Sequence, residues 1–129
     1  MAGETIITIA GNLTRDPEVR TTSSNKAVAN FSIAASTRAY NRDTGQWEDG
    51  DTLFMSCSAW GELANHIAAS LAKGMRVIAQ GRLHQRSYQA KDGTQRTVVE
   101  MTVDEIGPSL RLATAQVHRA QRNNGGYPP

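Results

Sequence analysis

Apolar and polar positions alternate along most of this chain, which is the period of strands with one dry face. Thr5–Leu13 is rich in β-branched residues and reads as a first strand, with Gly11 marking a bend or bulge. Asp16-Pro17 ends that run, and Glu18–Thr22 reads as a short extended return before a turn at Ser23–Lys26. Ala27–Thr37 is a second long strand, with Ala29, Phe31, Ile33 and Ala35 on its core face. The polar stretch Asn41–Gly50 reads as the tip of a long hairpin that leads into a third strand, Thr52–Trp60. The period then changes. Leu63, Ala64, Ile67, Ala68 and Leu71 recur at helical spacing, and Lys73-Gly74 supplies the end signal. Met75–Tyr88 and Thr94–Val103 follow as strands around a turn at Lys91-Asp92-Gly93. Gly107-Pro108 breaks the pattern, and Leu110–Val117 is a candidate for one more short strand or arm.

Five strands with one helix between the third and fourth give an all-β class. That element order is the order of the OB-fold, a five-stranded Greek-key barrel with long hairpin loops. The even positions of the third and fourth strands then carry the chemistry. Phe54 and Trp60 lie on one, and Arg82, His84, Arg86 and Tyr88 on the other. The odd positions between them, Leu53, Met55, Cys57, Ala59, Val77, Ala79, Gly81 and Leu83, suit a buried face. Flat rings and cations turned outward together form a platform on which bases stack and phosphates are neutralised.

Charge sharpens this picture only through its distribution. The net charge is +2, too small to argue for a polyanionic partner. Between Arg76 and Thr97, however, five basic residues face one acid, Asp92, while acids gather at Asp43, Glu48, Asp49 and Asp51. Cys57 is the single cysteine; its core parity makes it a small buried apolar group, and a lone thiol suits a reduced cytoplasm. No apolar run approaches the length of a membrane span, and no signal peptide is expected at Met1–Glu4. Enzymatic motifs are lacking. There is no phosphate-binding Gly-x-x-x-x-Gly-Lys-Ser/Thr loop, and Glu62 and His66 lack the second histidine of a zinc motif. The expectation is a non-enzymatic protein without cofactor or metal.

Several stretches resemble the bacterial single-stranded DNA-binding protein family. They are GNLTRDPEVR (Gly11–Arg20), AVANFSIA (Ala27–Ala34), WGELAN (Trp60–Asn65) and KGMRVIAQGRLHQRSY (Lys73–Tyr88), the last followed by the DGTQRT hairpin. The DEIGPSLRLATAQV stretch resembles the actinobacterial branch, whose extra C-terminal strand clamps neighbouring subunits. The resemblance implies a protein that coats single-stranded DNA in replication, recombination and repair. It implies stacking by Tyr40, Phe54, Trp60 and Tyr88, and phosphate contacts by Lys73, Arg86 and Arg96. Arg38, Arg82, His84 and Lys91 complete the candidate phosphate set; Lys91, at a turn, could equally be an ordinary solvated residue. Trp47, in the hairpin tip, either clamps DNA or touches a neighbouring subunit. Ser56, His84 and Ser87 stand where relatives carry cations. The family also implies a homotetramer, with Leu110–Val117 clamping neighbours, in the cytoplasm at the nucleoid. Residues 1–118 are expected to form the DNA-binding domain and residues 119–129 a disordered tail. No acid follows Glu105, so recruitment of replication and repair partners through an acidic tail is not expected. The alternative from another class is an OB-fold protein-interaction adaptor with residual DNA affinity.

Overall fold

The computed structural model describes residues 3–120. Six strands and one helix follow in the order β1 (Thr5–Leu13), β2 (Glu18–Thr21), β3 (Ala27–Asn41), β4 (Gln46–Trp60), α1 (Glu62–Ser70), β5 (Arg76–Gln89) and β6 (Gln95–Pro108). The expected five strands and intervening helix are all present. The sixth strand is the short return, β2, which pairs with the start of β3 from Glu18↔Asn30 to Thr21↔Ala27. The sheet runs β1-β5-β6-β4-β3-β2, and it closes into a barrel because β1 also pairs with β3.

Closure happens at the end of β1. Gly11 and Asn12 still pair with β5, while Asn12 and Leu13 already pair with Ala34 and Ile33 of β3. A Cβ at Gly11 would run into the Ala34 carbonyl, so only glycine lets the two backbones meet here. The segment after it clips the loop before β5. Leu13 N–H donates to the Met75 carbonyl, Gly74 N–H to the Leu13 carbonyl, and Asn12 Nδ2 to the Gly74 carbonyl at 3.0 Å.

Inward residues of every long strand form one core: Ile9, Leu13, Ala29, Phe31, Ile33, Met55, Cys57, Ala59, Val77, Ala79, Met101 and Val103, capped by Ala64, Ile67 and Leu71. Each large side chain buried there contributes about 1.5–3 kcal/mol. Burial pushes the Cys57 thiol up to about 12, so it stays protonated and unreactive at neutral pH. The helix is entered through Gly61 at φ 72°, a left-handed turn that a side chain would strain. It ends at Ser70, short of Lys73-Gly74, and Ala68 is exposed.

Three expectations need correction. Leu53 is 54% exposed, although its parity is that of the core. At its level β3 and β4 have left the barrel as a projecting hairpin, so neither face has a layer to cover it. β6 runs through Gly107 to Pro108, with a register shift opposite Gln80/Gly81 that absorbs Asp104. Leu110–Val117 forms no strand. Leu110, Leu112 and Val117 are exposed, and the segment pairs with no strand of the chain. The expected tail disorder concerns residues of which all but 119 and 120 lie outside the described ones. Among the described residues no helix is long and apolar enough to cross a membrane.

Candidate nucleic-acid interface

Strand register carries the candidate residues onto one exterior band. Ser56 of β4 pairs with Glu100 of β6, and Glu100 pairs with His84 of β5. Paired residues project to the same side, so the outward rows of β4, β6 and β5 lie next to one another at about 4.8 Å per strand. Phe54 and Trp60 flank this row on β4, 66% and 47% exposed. On β5, Arg82 stands opposite Thr102, Arg86 opposite Val98 and Tyr88 opposite Arg96. Tyr88 is 44% exposed, and the Arg86 guanidinium carbon lies 5.6 Å from its ring centroid. The even-parity reading of Phe54, Trp60, Arg82, His84, Arg86 and Tyr88 matches their placement.

The hairpin tip adds a second pair of rings through a bulge. Ser36 pairs with Thr52, but two residues later Arg38 pairs with Asp49, so Gly50 and Asp51 together oppose Thr37 and β4 carries one extra residue. Thr37 Oγ1 donates to the Asp51 carbonyl at 3.3 Å across this irregularity. On β3 the side continues unbroken from Ala34, opposite Phe54, to Tyr40, opposite Trp47. The bulge therefore turns an odd-numbered Trp47 onto the side of an even-numbered Phe54. Tyr40 and Trp47 meet edge to face, ring centroids 5.4 Å apart, and both are more than half exposed. Parity counted along the sequence cannot find this, since a bulge shifts the count without a strong signature.

The cations are less free than the sequence suggests. Arg82 donates from Nε and Nη2 to the two oxygens of Asp104, at 3.3 and 3.2 Å, with Glu4 at 3.7 Å. Arg86 donates from Nε to Glu100. Arg96 lies 3.6 Å from Asp92, whose carboxyl is held below its usual range by the hydroxyl and N–H of Thr94, with Arg96 adding to the effect. Arg38 donates to the Trp47 carbonyl and sits 4.0 Å from Asp49. Lys73 and Lys91 have no ion-pair partner among the described residues. Lys73 is fixed by its backbone, its N–H donating to Asp16 Oδ1 at 2.8 Å. His84 and the neutral Ser56 beside Phe54 are exposed on the band, whereas Ser87 is exposed on the opposite face of β5, across from Thr97.

Glu100 carries no signal in the sequence that sets it apart. It is the sole acid among the outward positions of β4 from Thr52 to Trp60, β5 from Arg82 to Tyr88 and β6 from Arg96 to Thr102. Only the register reveals that it faces His84 and Ser56. Among the described residues no cluster of histidine, cysteine and acids could hold a metal ion.

A model of the single-strand binding protein family matches residues 5–109. A single-stranded DNA-binding protein of Bifidobacterium longum is 67% identical over 127 residues, covering 98% of this chain and 58% of that protein. One of Mycobacterium tuberculosis is 57% identical over 125 residues, covering 97% of this chain and 76% of that protein. The chain thus spans a little over half the length of the Bifidobacterium relative. Among solved structures, a small single-stranded DNA-binding protein from Streptomyces coelicolor superposes with a TM-score of 0.73 at 31% identity, covering 84% of this chain and 96% of that one.

Proposed function

The chain belongs to the single-strand binding protein family, and from that premise we propose that it coats single-stranded DNA without catalysis and with little sequence preference. The observation that carries this is the continuous exterior band on which Tyr40, Trp47, Phe54, Trp60 and Tyr88 are all exposed beside a row of cations. Bases stack on the rings. Arg86, Arg96, Arg38, Lys73, Lys91 and His84 meet the phosphates, and Arg82, held by two carboxylates, contributes least. Duplex is discriminated against because paired bases hide their faces from the rings. Coating of this kind serves replication, recombination and repair, and a chain with one buried thiol suits the cytoplasm.

Titration of intrinsic tryptophan fluorescence with poly-dT tests the assignment. Strong quenching is expected, most of it lost in Trp60→Ala; unchanged fluorescence at saturating poly-dT would refute stacking. The adaptor alternative draws on the carboxylates already bound to Arg82, Arg86 and Arg96. It predicts weak binding with little quenching.

The assembly is a homotetramer. Outward Ile6 and Ile78 on neighbouring strands, and Leu110, Leu112 and Val117 on the arm, leave apolar surface that a second copy can cover. Light scattering should return the mass of four chains, and a monomer would count against it.

A further inference from the structure

We propose that Glu100 is a charge-tuning residue of the DNA face: it neutralises Arg86 in the free protein and thereby sets both the affinity and the salt dependence of binding. This role rests on the single-stranded DNA assignment above. Glu100 lies on β6 between the aromatic row of β4 and the cation row of β5, with Ser56 on one side and His84 on the other. Its side chain is 24% exposed, the least of the acids in ion pairs among the described residues, whereas its partner Arg86 is 58% exposed. A carboxylate so placed is screened less than a surface acid.

The bond from Arg86 Nε to Glu100 does two separable things. Its direction ties the guanidinium to β6, with the guanidinium carbon 5.6 Å from the Tyr88 ring centroid. Its charge cancels that of Arg86, so the pair is electrically neutral toward the strand. A neutral pair displaces no counterion when a phosphate docks, and counterion release is what gives binding its salt dependence. Arg82 is different. Its acids, Asp104 and Glu4, lie away from the aromatic row, and Asp104 occupies two of its nitrogens.

Glu100→Gln separates the two effects, because the amide oxygen still accepts from Arg86 Nε while the charge is gone. Affinity for oligo-dT is read by tryptophan quenching across a tenfold range of salt, for the wild type, Glu100→Gln, Arg86→Ala and the double variant. Glu100→Gln should bind more tightly at low salt, with the slope of log K against log salt steeper by about 0.7, the value for one single-strand phosphate. Its advantage over the wild type should then shrink about fivefold across that range. In the Arg86→Ala background the change in slope should vanish. Weaker binding by Glu100→Gln, a wild-type slope, or the same steepening without Arg86 would overturn the proposal. If Glu100→Gln melts early, Glu100→Thr provides a second uncharged variant with the same expected slope. A wild-type chain that fails to bind oligo-dT would overturn the DNA assignment and this role together; binding with an unmoved slope overturns the role of Glu100 alone.

Discussion

Two hairpins leave the barrel, and they present rings to solvent in opposite electrostatic settings. The β5–β6 hairpin from Arg82 to Arg96 carries four cations against one acid, Asp92. The β3–β4 hairpin from Arg38 to Asp51 carries two arginines against four acids. Both hold exposed rings, Tyr88 on the first and the edge-to-face pair Tyr40–Trp47 on the second. Stacking is indifferent to net charge, whereas phosphate contact is not, so the two hairpins divide the work. On the proposed function, the β5–β6 hairpin would grip the backbone as well as a base. The β3–β4 hairpin would offer mainly its rings, its Arg38 lying 4.0 Å from Asp49.

The largest effect should come from Trp60→Ala at the root of the β3–β4 hairpin, where β4 ends on the barrel. A loss toward the upper end of about 1–3 kcal/mol in oligo-dT affinity is expected, equal at low and high salt. Next come Tyr88→Ala and Trp47→Ala, each about 1 kcal/mol. If the division of work holds, titrations at several salt concentrations should give both variants the wild-type slope. Arg86→Ala should flatten the slope by well under about 0.7, since Glu100 already offsets its charge; Arg38→Ala, on the acidic hairpin, should leave it unmoved. A flattening by Arg38→Ala as large as that by Arg86→Ala would erase the contrast between the hairpins. The smallest effect belongs to Arg82→Ala. Its pair with Asp104 is about half exposed, so thermal unfolding should register about 0–1 kcal/mol and DNA affinity little change.

How much of this was legible in the sequence differs by residue. Phe54 and Trp60 could be assigned outward because each sits in a regular strand whose odd neighbours are small or apolar, and Tyr88 because the polar residues around it leave little core to join. Met55, Cys57, Ala59, Val77 and Ala79 are buried as that alternation requires. Leu53 failed because alternation says which way a side chain points, not whether anything covers it. The side taken by Trp47 is not readable from alternation, because the bulge at Gly50-Asp51 resets the count. Glu100 went unnoticed because its significance lies in the strands beside it, forty-odd residues away on β4 and sixteen on β5.

The sequence alone determined the strands, the helix and the direction of side chains within the regular stretches of each, since these follow from a period of two or 3.6 along a single backbone. Tertiary structure decided where the barrel stops covering its strands, which side the hairpin rings share, and which carboxylate sits beside which guanidinium. Those depend on register and curvature between segments far apart in the chain. No local pattern encodes them, because each is settled by the balance of many distant pairings at once.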